Sequence, residues 1–483
     1  MVTVPGTTPA VVIAAPSSGS GKTTVTTGLI GALRAAGHRV APFKVGPDYI
    51  DPGYHAVAAG RPGRNLDPNL VGEDLIAPLF AHGAAGADIA VVEGVMGLFD
   101  GRITGDVLGS ASDPLGVGST AHVAALLGAP VVLVVDAGGH SQSLAAVLHG
   151  FLSYDSSVHI AGVILNRVGS PRHEMVLRQA CARVGVPVFG VLRRDPSLTV
   201  PSRHLGLIPA AERSADAVAA VASMTDHLRD ALDLPAIVAA ARQRRVPDAA
   251  PWSAADALAP FAPDDGVPHP HPRPRPVVAV AGGAAFTFGY TEHAEMLRAA
   301  GAEVVAFDPL SDRLPPGTAG VVIGGGFPEE HAEELGANHE LRADLRAHVA
   351  AGRPIHAECA GLVYLADHLD GRPMSGVLDV AGSFGPRLTL GYRDAVAVAD
   401  SVLFGAGERV TGHEFHRSTV HAGEAATPAW AWRDAEGRPA ADGVVTEAVH
   451  ASYLHLHPAA IPAALSRFVA RVGSSACTIP TNS

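Results

Sequence analysis

Apolar runs of four to six residues recur along this chain, and most stop at a glycine, a carboxylate or an amide. Ala10–Ala14, Val40–Lys44, Ile89–Glu93, Val131–Asp136 and Ile160–Asn166 lack the alternation of a half-buried strand. They read as strands covered on both faces. Val25–Ala36 and Ser141–Leu152 carry helix-like patterning between them. Strands alternating with helices predict a parallel, doubly wound sheet. The helical stretch Ala215–Arg245 closes this first domain. Nine prolines then fall between Pro247 and Pro276, which predicts a semi-rigid, extended connector. The strand pattern restarts at Val277–Ala281 and continues through Val304–Phe307, Val321–Ile323 and Pro354–Ala357, with helices expected at Thr291–Ala300 and Leu362–His368. The expectation is an α/β protein of two domains, residues 1–246 and 277–472, joined by a linker over 247–276 and ending in a tail over 473–483.

The length, 483 residues, exceeds one ordinary core and agrees with two domains. A hydrophobic fraction of 47% against 17% charged residues suits an α/β enzyme and excludes a disordered chain. The net charge of −12 argues against a nucleic-acid surface. Three cysteines far apart form no disulfide framework, so a reducing cytoplasm is expected. The N-terminus has no basic region, and its apolar run is too short for a signal peptide or a membrane span. No internal repeat is evident.

The first stretch with chemistry is Pro16-Ser17-Ser18-Gly19-Ser20-Gly21-Lys22-Thr23-Thr24. A strand, a glycine-rich turn and a helix in that order form a phosphate cradle, with backbone N–H groups and a helix N-terminus converging on an anion. Lys22 would reach the outer phosphates and Thr23 would hold Mg²⁺. Pro16 stands where the general pattern has glycine. Glu93, at the tip of an apolar strand, is placed to complete a Mg²⁺ shell. Lys44, Asp48 and Asp51 follow another strand end, where open α/β sheets bind ligands; an ordinary polar loop is the alternative. Asn166 could read a purine edge or simply form a turn. No role is fixed for Arg203, His204 and Leu205–Ile208. His269-Pro270-His271 reads as solvated linker.

In the second domain, triple glycine after a strand, Gly324–Gly326, lets backbone N–H groups face a bound atom. Glu358-Cys359-Ala360-Gly361 has the outline of a nucleophile elbow at a strand-to-helix turn, and the helix N-terminus and polar surroundings are expected to lower the Cys359 thiol pKa. Cys181 and Cys477 read as inert. The base is expected among His413, His416, His455 and His457, with His455 favoured because Ser452–His457 reads as a strand end aimed at a site. His455 and His457 have no third partner at metal-ligand spacing.

Together these stretches, with Gly412-His413-Glu414-Phe415-His416-Arg417-Ser418 and Tyr453–His457, resemble the glutamine-dependent a,c-diamide synthases of the cobalamin pathway, which act on cobyrinic or hydrogenobyrinic acid. The resemblance covers nearly the whole chain. It implies a first domain similar to dethiobiotin synthetase, with the same proline variant of the phosphate loop, and a second domain of the class I glutamine amidotransferase type. It implies ATP as co-substrate in the cradle of Gly19, Ser20, Gly21, Lys22, Thr23 and Thr24, with Asn166 on adenine. Mg²⁺ would be held by Thr23, Asp48 and Glu93. Lys22 and Lys44 would neutralise phosphate charge, and Asp100 would place the substrate carboxylate or acyl phosphate. Cys359 would attack the glutamine amide with His455 as base, the oxyanion resting on N–H groups near Gly325 or Gly326 and of Ala360. The implied partners are a corrinoid or other tetrapyrrole carboxylic acid, ATP and L-glutamine, with no nucleic acid and no membrane; a homodimer is compatible with it.

Two departures stand out. Ala357 replaces the glycine common two residues before the cysteine, and His457 replaces the glutamate common two residues after the histidine. The triad is a dyad on sequence. Rival readings are a cobyric acid synthase, in which the segment matching Gly412–Ser418 tends to read Gly-Tyr-Glu-Ile-His, a synthase acting on a sirohydrochlorin relative, and a nucleotide-dependent scaffold with a degenerate glutaminase. Intact Lys22, Cys359 and His455 argue against the last.

Overall fold

The computed structural model describes residues 7–103, 115–194, 202–203, 206–207, 214–246, 248–261, 275–423 and 426–476. His204, Leu205, Ile208, His269–His271 and Cys477 lie outside them. The chain forms two compact units, divided between Trp252 and Ser253.

In the first unit the strands of the main sheet are β1 (Ala10–Ala14), β2 (Val40–Val45), β3 (Arg64–Leu66), β4 (Ile89–Glu93), β5 (Val131–Asp136), β6 (Ile160–Val168) and β7 (Val188–Arg193). They form one sheet in the order β3-β2-β4-β1-β5-β6-β7, with every pairing parallel. Every residue of β1, β2 and β4 is buried, as their unbroken apolar runs require. The chain runs outward from β1 through β2 to β3, returns to β4 beside β1, and then crosses to β5. The reversal falls around β1, so the loops beyond the carboxyl ends of β1, β4 and β5 border the crevice where such sheets bind ligands. Helix α1 (Lys22–Ala35) opens directly from the β1 loop and α2 (Asp51–Ala59) from the loop after β2. The expected Ala215–Arg245 helix is two helices, Ser214–Ala231 and Leu234–Ala241, broken where Pro235 sits at the second helix's start and the Asp233 side chain accepts from Ala236 N.

The described part of the proline-rich stretch is packed rather than extended. Asp248 accepts from Thr8 N and Oγ1 at 2.9 and 2.8 Å and pairs with Arg244. Trp252 is buried with its ring edge-on to His82. Ala254–Leu258 forms a short helix capped by Ser253. Burial of Trp252 and Leu258 supplies the apolar anchors that the proline content hides.

In the second unit β8 (Val277–Ala281), β9 (Glu303–Phe307), β10 (Thr318–Ile323), β11 (Ile355–Glu358), β12 (Val380–Ala397), β13 (Arg409–Ala422), β14 (Val444–Val445) and β15 (Val449–Ser452) make two sheets. The first has the order β9-β8-β10-β11-β15-β14, parallel except for β14 against β15. The long antiparallel pair β12 and β13 is the centre of the second. The helix after β11, α3 (Ala360–Leu365), starts two residues earlier than the pattern predicts and stops short of His368. His368–Leu369 is instead a short strand parallel to β12. Among the described residues no helix is long and apolar enough to cross a membrane.

Candidate active sites

The phosphate cradle in the first unit takes its shape from two glycines. Gly19 and Gly21 have φ of 78° and 94°, a region closed to most side chains, and the chain has glycine at both. Position 16 makes no such demand, which is why proline is tolerated there. Ser20 Oγ donates to Ser17 O at 2.9 Å, and α1 begins at Lys22 with Gly21 as its N-cap. Asn166, at the end of β6, donates its amide to Ser20 O at 2.9 Å. It thus ties the cradle to the far side of the sheet. A cavity of about 810 Å³ lies alongside, bordered by Pro16, Gly21, Thr24, Asn166, Arg167 and Leu192. Its position fits the base and sugar of a nucleotide whose phosphates rest in the cradle.

Lys22 is buried and donates to Met96 O at 2.6 Å. Burial first, then the charge of Lys44, lowers its pKa. Beneath it lies a compact ionic cluster. Lys44 Nζ donates to Asp51 Oδ2 at 2.7 Å, Glu93 Oε1 at 3.0 Å and Gly94 O at 3.2 Å. Thr23 Oγ1 donates to Glu93 Oε1 at 2.7 Å and lies 3.3 Å from Asp51 Oδ2. His55 Nε2 lies 2.7 Å from Glu93 Oε2, both fully buried. Burial would favour a neutral Glu93, but Lys44 and His55 reverse this and hold its carboxyl well below the usual range. Burial and the neighbouring Asp48 push Asp51 up to about 7. Burial also opposes the Lys44 charge, yet Asp51 and Glu93 keep it firmly protonated.

Asp48 has a different position from Asp51. Its Oδ1 accepts from the N–H groups of Ile50 and Asp51 at 2.8 and 3.0 Å, so it shapes the turn into α2. The carboxylate that meets Thr23 and Lys44 is Asp51. Sequence reasoning put Asp51 at a ligand-binding strand end but named Asp48, not Asp51, as the Mg²⁺ ligand, and it missed His55; the i,i+4 spacing of Asp51 and His55, which puts both on one helical face, was the available signal. Asp100 Oδ2 accepts from Gly97 N at 2.8 Å, and its charge acts on Lys22. It therefore closes the turn after β4 at the cradle's edge. The donors of Thr23, Asp51 and Glu93 are all hard oxygens, the chemistry Mg²⁺ prefers.

In the second unit Cys359 occupies the sharp turn between β11 and α3. Its φ of 51° and ψ of −104° are strained for a residue with a side chain, and such strain clusters at nucleophile elbows. Its N–H donates to Ser452 O at 2.7 Å, and Sγ lies 3.7 Å from Phe415 O. The expected lowering of the thiol pKa is not found. Burial, with the negative charges of Glu329, Glu358 and Asp442, pushes the thiol up, and the Ala360 N–H opposes this only in part. The thiol is therefore protonated at rest and needs a base.

The four candidate histidines are well separated in role. His455 is buried, with its ring against Gly325, where an added Cβ would sit 2.5 Å from Cε1; the close approach needs glycine. The main chain of His455 pairs with His413 through N–H···O bonds of 3.0 and 2.9 Å. Burial, then His455 and Arg393, brings His413 down to about 3. His416 stacks on Tyr453, ring centroids 3.7 Å apart. His457 Nδ1 accepts from Ala459 N at 3.2 Å, capping a short turn. Gly325 N is committed to Phe288 O at 3.1 Å, which narrows the oxyanion donors from the glycine loop to Gly326. Sequence reasoning gave Glu358 no role of its own. Its Oε2 lies 3.5 Å from His455 Nδ1 and its Oε1 3.3 Å from His356 Nε2.

One unit thus holds a phosphate cradle with an ionic cluster, and the other a strained cysteine whose neighbour Glu358 reaches a buried histidine: a nucleotide-binding amidotransferase in architecture. Residues 11–208 match the model of the CobQ/CobB/MinD/ParA nucleotide binding domain, and residues 277–461 that of the CobB/CobQ-like glutamine amidotransferase domain. The hydrogenobyrinate a,c-diamide synthase of Mycobacterium tuberculosis is 58% identical over 98% of this chain and 99% of its own. That of Streptomyces coelicolor is 56% identical over 97% and 98%. The cobyrinate a,c-diamide synthase of Gloeobacter violaceus is 42% identical over 96% of each chain. The chain belongs to this a,c-diamide synthase family.

Proposed function

We propose that this enzyme converts the a and c acetate carboxylates of hydrogenobyrinic or cobyrinic acid to amides, using ATP and glutamine. The observation that carries the reading is the pairing, in one chain, of a phosphate cradle with a strained, buried cysteine at an elbow. End-to-end identity with synthases of that name supports the substrate, and the higher identity is to those named for hydrogenobyrinate. A carboxylate resists ammonia because hydroxide leaves poorly. Transfer of the γ-phosphoryl group of ATP to the carboxylate oxygen gives an acyl phosphate and ADP. Ammonia then attacks the acyl carbon, the C–O bond to phosphate breaks, and the amide and inorganic phosphate result. Lys22 and Lys44 offset phosphate charge. Asp100 is assigned to the acceptor side, near the substrate carboxylate.

Mg²⁺ bound to the phosphates would supply Lewis-acid charge neutralisation. Thr23 and Glu93 fit as its protein ligands, with the third ligand, a second acid, drawn from the Asp48–Asp51 turn. Because Asp48 spends Oδ1 on that turn, Asp51→Asn is expected to raise the Mg²⁺ concentration needed for half-maximal ATP turnover more than Asp48→Asn does, and Glu93→Gln at least as much as Asp51→Asn. Identical Mg²⁺ titrations for all three and the parent would move the metal elsewhere.

At the other site Cys359 Sγ attacks the glutamine side-chain carbonyl as its proton passes to His455. The proton is then delivered to the leaving ammonia, and water hydrolyses the thioester to glutamate. Mass spectrometry after incubation with ring acid, ATP, Mg²⁺ and glutamine tests the whole reading. The expected product has two carboxyl OH groups exchanged for NH₂. An unchanged ring acid beside consumed ATP would overturn the substrate assignment, and a product amidated elsewhere would favour the cobyric acid reading.

A further inference from the structure

Class I glutaminases orient the catalytic histidine with a carboxylate, and the position where this chain should carry it holds His457. That side chain cannot serve, because its Nδ1 accepts from Ala459 N and its ring packs on Tyr290 at 4.4 Å. Another carboxylate reaches the histidine from a different direction. Strand β11 pairs in parallel with β15, setting His356 beside His450 and Glu358 beside Ser452. Residues two apart on a strand share a face, so His356 and Glu358 lie side by side. The chain beyond Ser452 then brings His455 back over the end of β11, and Glu358 ends up between the two histidines, 3.5 Å from His455 Nδ1 and 3.3 Å from His356 Nε2.

We propose that Glu358, the residue immediately before the nucleophile, orients His455 in glutamine hydrolysis, and that His356 holds Glu358 in place for it. The inference rests on the glutaminase reading above and adds to it the positioning residues. A carboxylate at Nδ1 fixes the tautomer in which Nε2 is free to accept a proton, and it stabilises the imidazolium that forms. The need is acute here, since the Cys359 thiol is protonated at rest. The same carboxylate is held from both sides. Burial alone would neutralise it, yet the contacts with His356 and His455 keep it well below the usual carboxylate range. Behind His356 lie two further histidines, half-buried His293 at a ring distance of 5.5 Å and buried His450 at 6.4 Å. Burial lowers them to about 4 and about 3. They are neutral packing around the pair and bring no competing charge.

Glu358 Oε1 also lies 3.4 Å from Leu456 N, so a purely structural role, holding the loop that carries His455, is the alternative. The variants Glu358→Gln and Glu358→Ala separate the two, because glutamine keeps an acceptor for Leu456 N but loses the charge at His455. Steady-state glutamate release should fall by about a hundredfold or more in kcat for both variants, with the KM for glutamine moved only a few-fold and ammonium-dependent amide formation unchanged. His356→Gln should give a smaller loss in kcat of the same kind. A Glu358→Gln enzyme within tenfold of the parent in kcat, beside a damaged Glu358→Ala enzyme, would overturn the proposal in favour of loop support. If the parent itself released no glutamate from glutamine, the functional reading would fall first, and this inference with it.

Discussion

Replacing Cys359 by serine is expected to cut glutamine-dependent amide formation by roughly a thousandfold or more, the scale on which loss of a catalytic nucleophile acts, while amide formation from ammonium salts stays near the parent rate. Serine preserves the size and the strained turn, with φ of 51° imposed by the pairing of β11 with β15 and by the start of α3. What it changes is the nucleophile. A thiol already pushed up by burial can still be deprotonated by a histidine as it attacks; a hydroxyl in the same place is far harder to ionise. The ammonium arm should be spared because the phosphate cradle and its ionic cluster are built entirely from residues before Trp252. Glutamate release and amide yield on each nitrogen source, measured on one preparation, check this. Glutamine hydrolysis at the parent rate would show that the sulfur is not the nucleophile.

The parts of this molecule that could be read from the chain are those whose environment is uniform along the sequence. β1, β4 and β5 are buried on both faces and spell this as unbroken apolar runs, so their ends, with Lys22, Thr23 and Glu93, followed directly. β3 and β7 were not legible: Arg64–Leu66 is three residues long, and the burial of Val188–Arg193 is interrupted at half-buried Val188 and Val191 and at exposed Arg193. The β12–β13 pair escaped for a related reason. Its register slips between Phe384 and Thr389 around Gly385 and Pro386, and the middle of β12 is half-buried or exposed, so alternation survives only at its two ends. At the sites, the residues missed are those whose meaning depends on distant pairing. Nothing around Glu358 announces His455, because the two meet only through the register of β11 and β15. The thiol pKa failed in direction for the same reason. A helix start is visible in sequence, but Glu329 and Asp442, which oppose it, come from elsewhere in the fold.

The second large effect is expected at Lys22. Lys22→Ala should reduce amide formation by about a hundred- to a thousandfold, the usual cost of removing one preorganised electrostatic group from a transferring phosphoryl site, and it should do so with glutamine and with ammonium alike. Both nitrogen sources use the same acyl phosphate, so no supply of ammonia can bypass the loss. In the structure the ammonium is buried and is held by the carbonyl of Met96 at 2.6 Å. Met96 itself has a φ of 46°, so the lysine and the loop after β4 support one another at the rim of the cradle. An alanine there loses the charge and also releases that loop. Lys22→Gln keeps an N–H donor for the Met96 carbonyl but loses the charge, and so separates the two effects. If charge is the cause, both variants lose turnover to a similar extent. If the loop is the cause, glutamine restores much of what alanine loses. Glutamate release from glutamine, tied to Cys359 and His455 in the other unit, is expected to persist in both variants and provides the internal control. Ammonium-dependent synthesis at the parent rate in either variant would mean that the outer phosphates of ATP are held by some other cation, and Lys44 would then be the next to test.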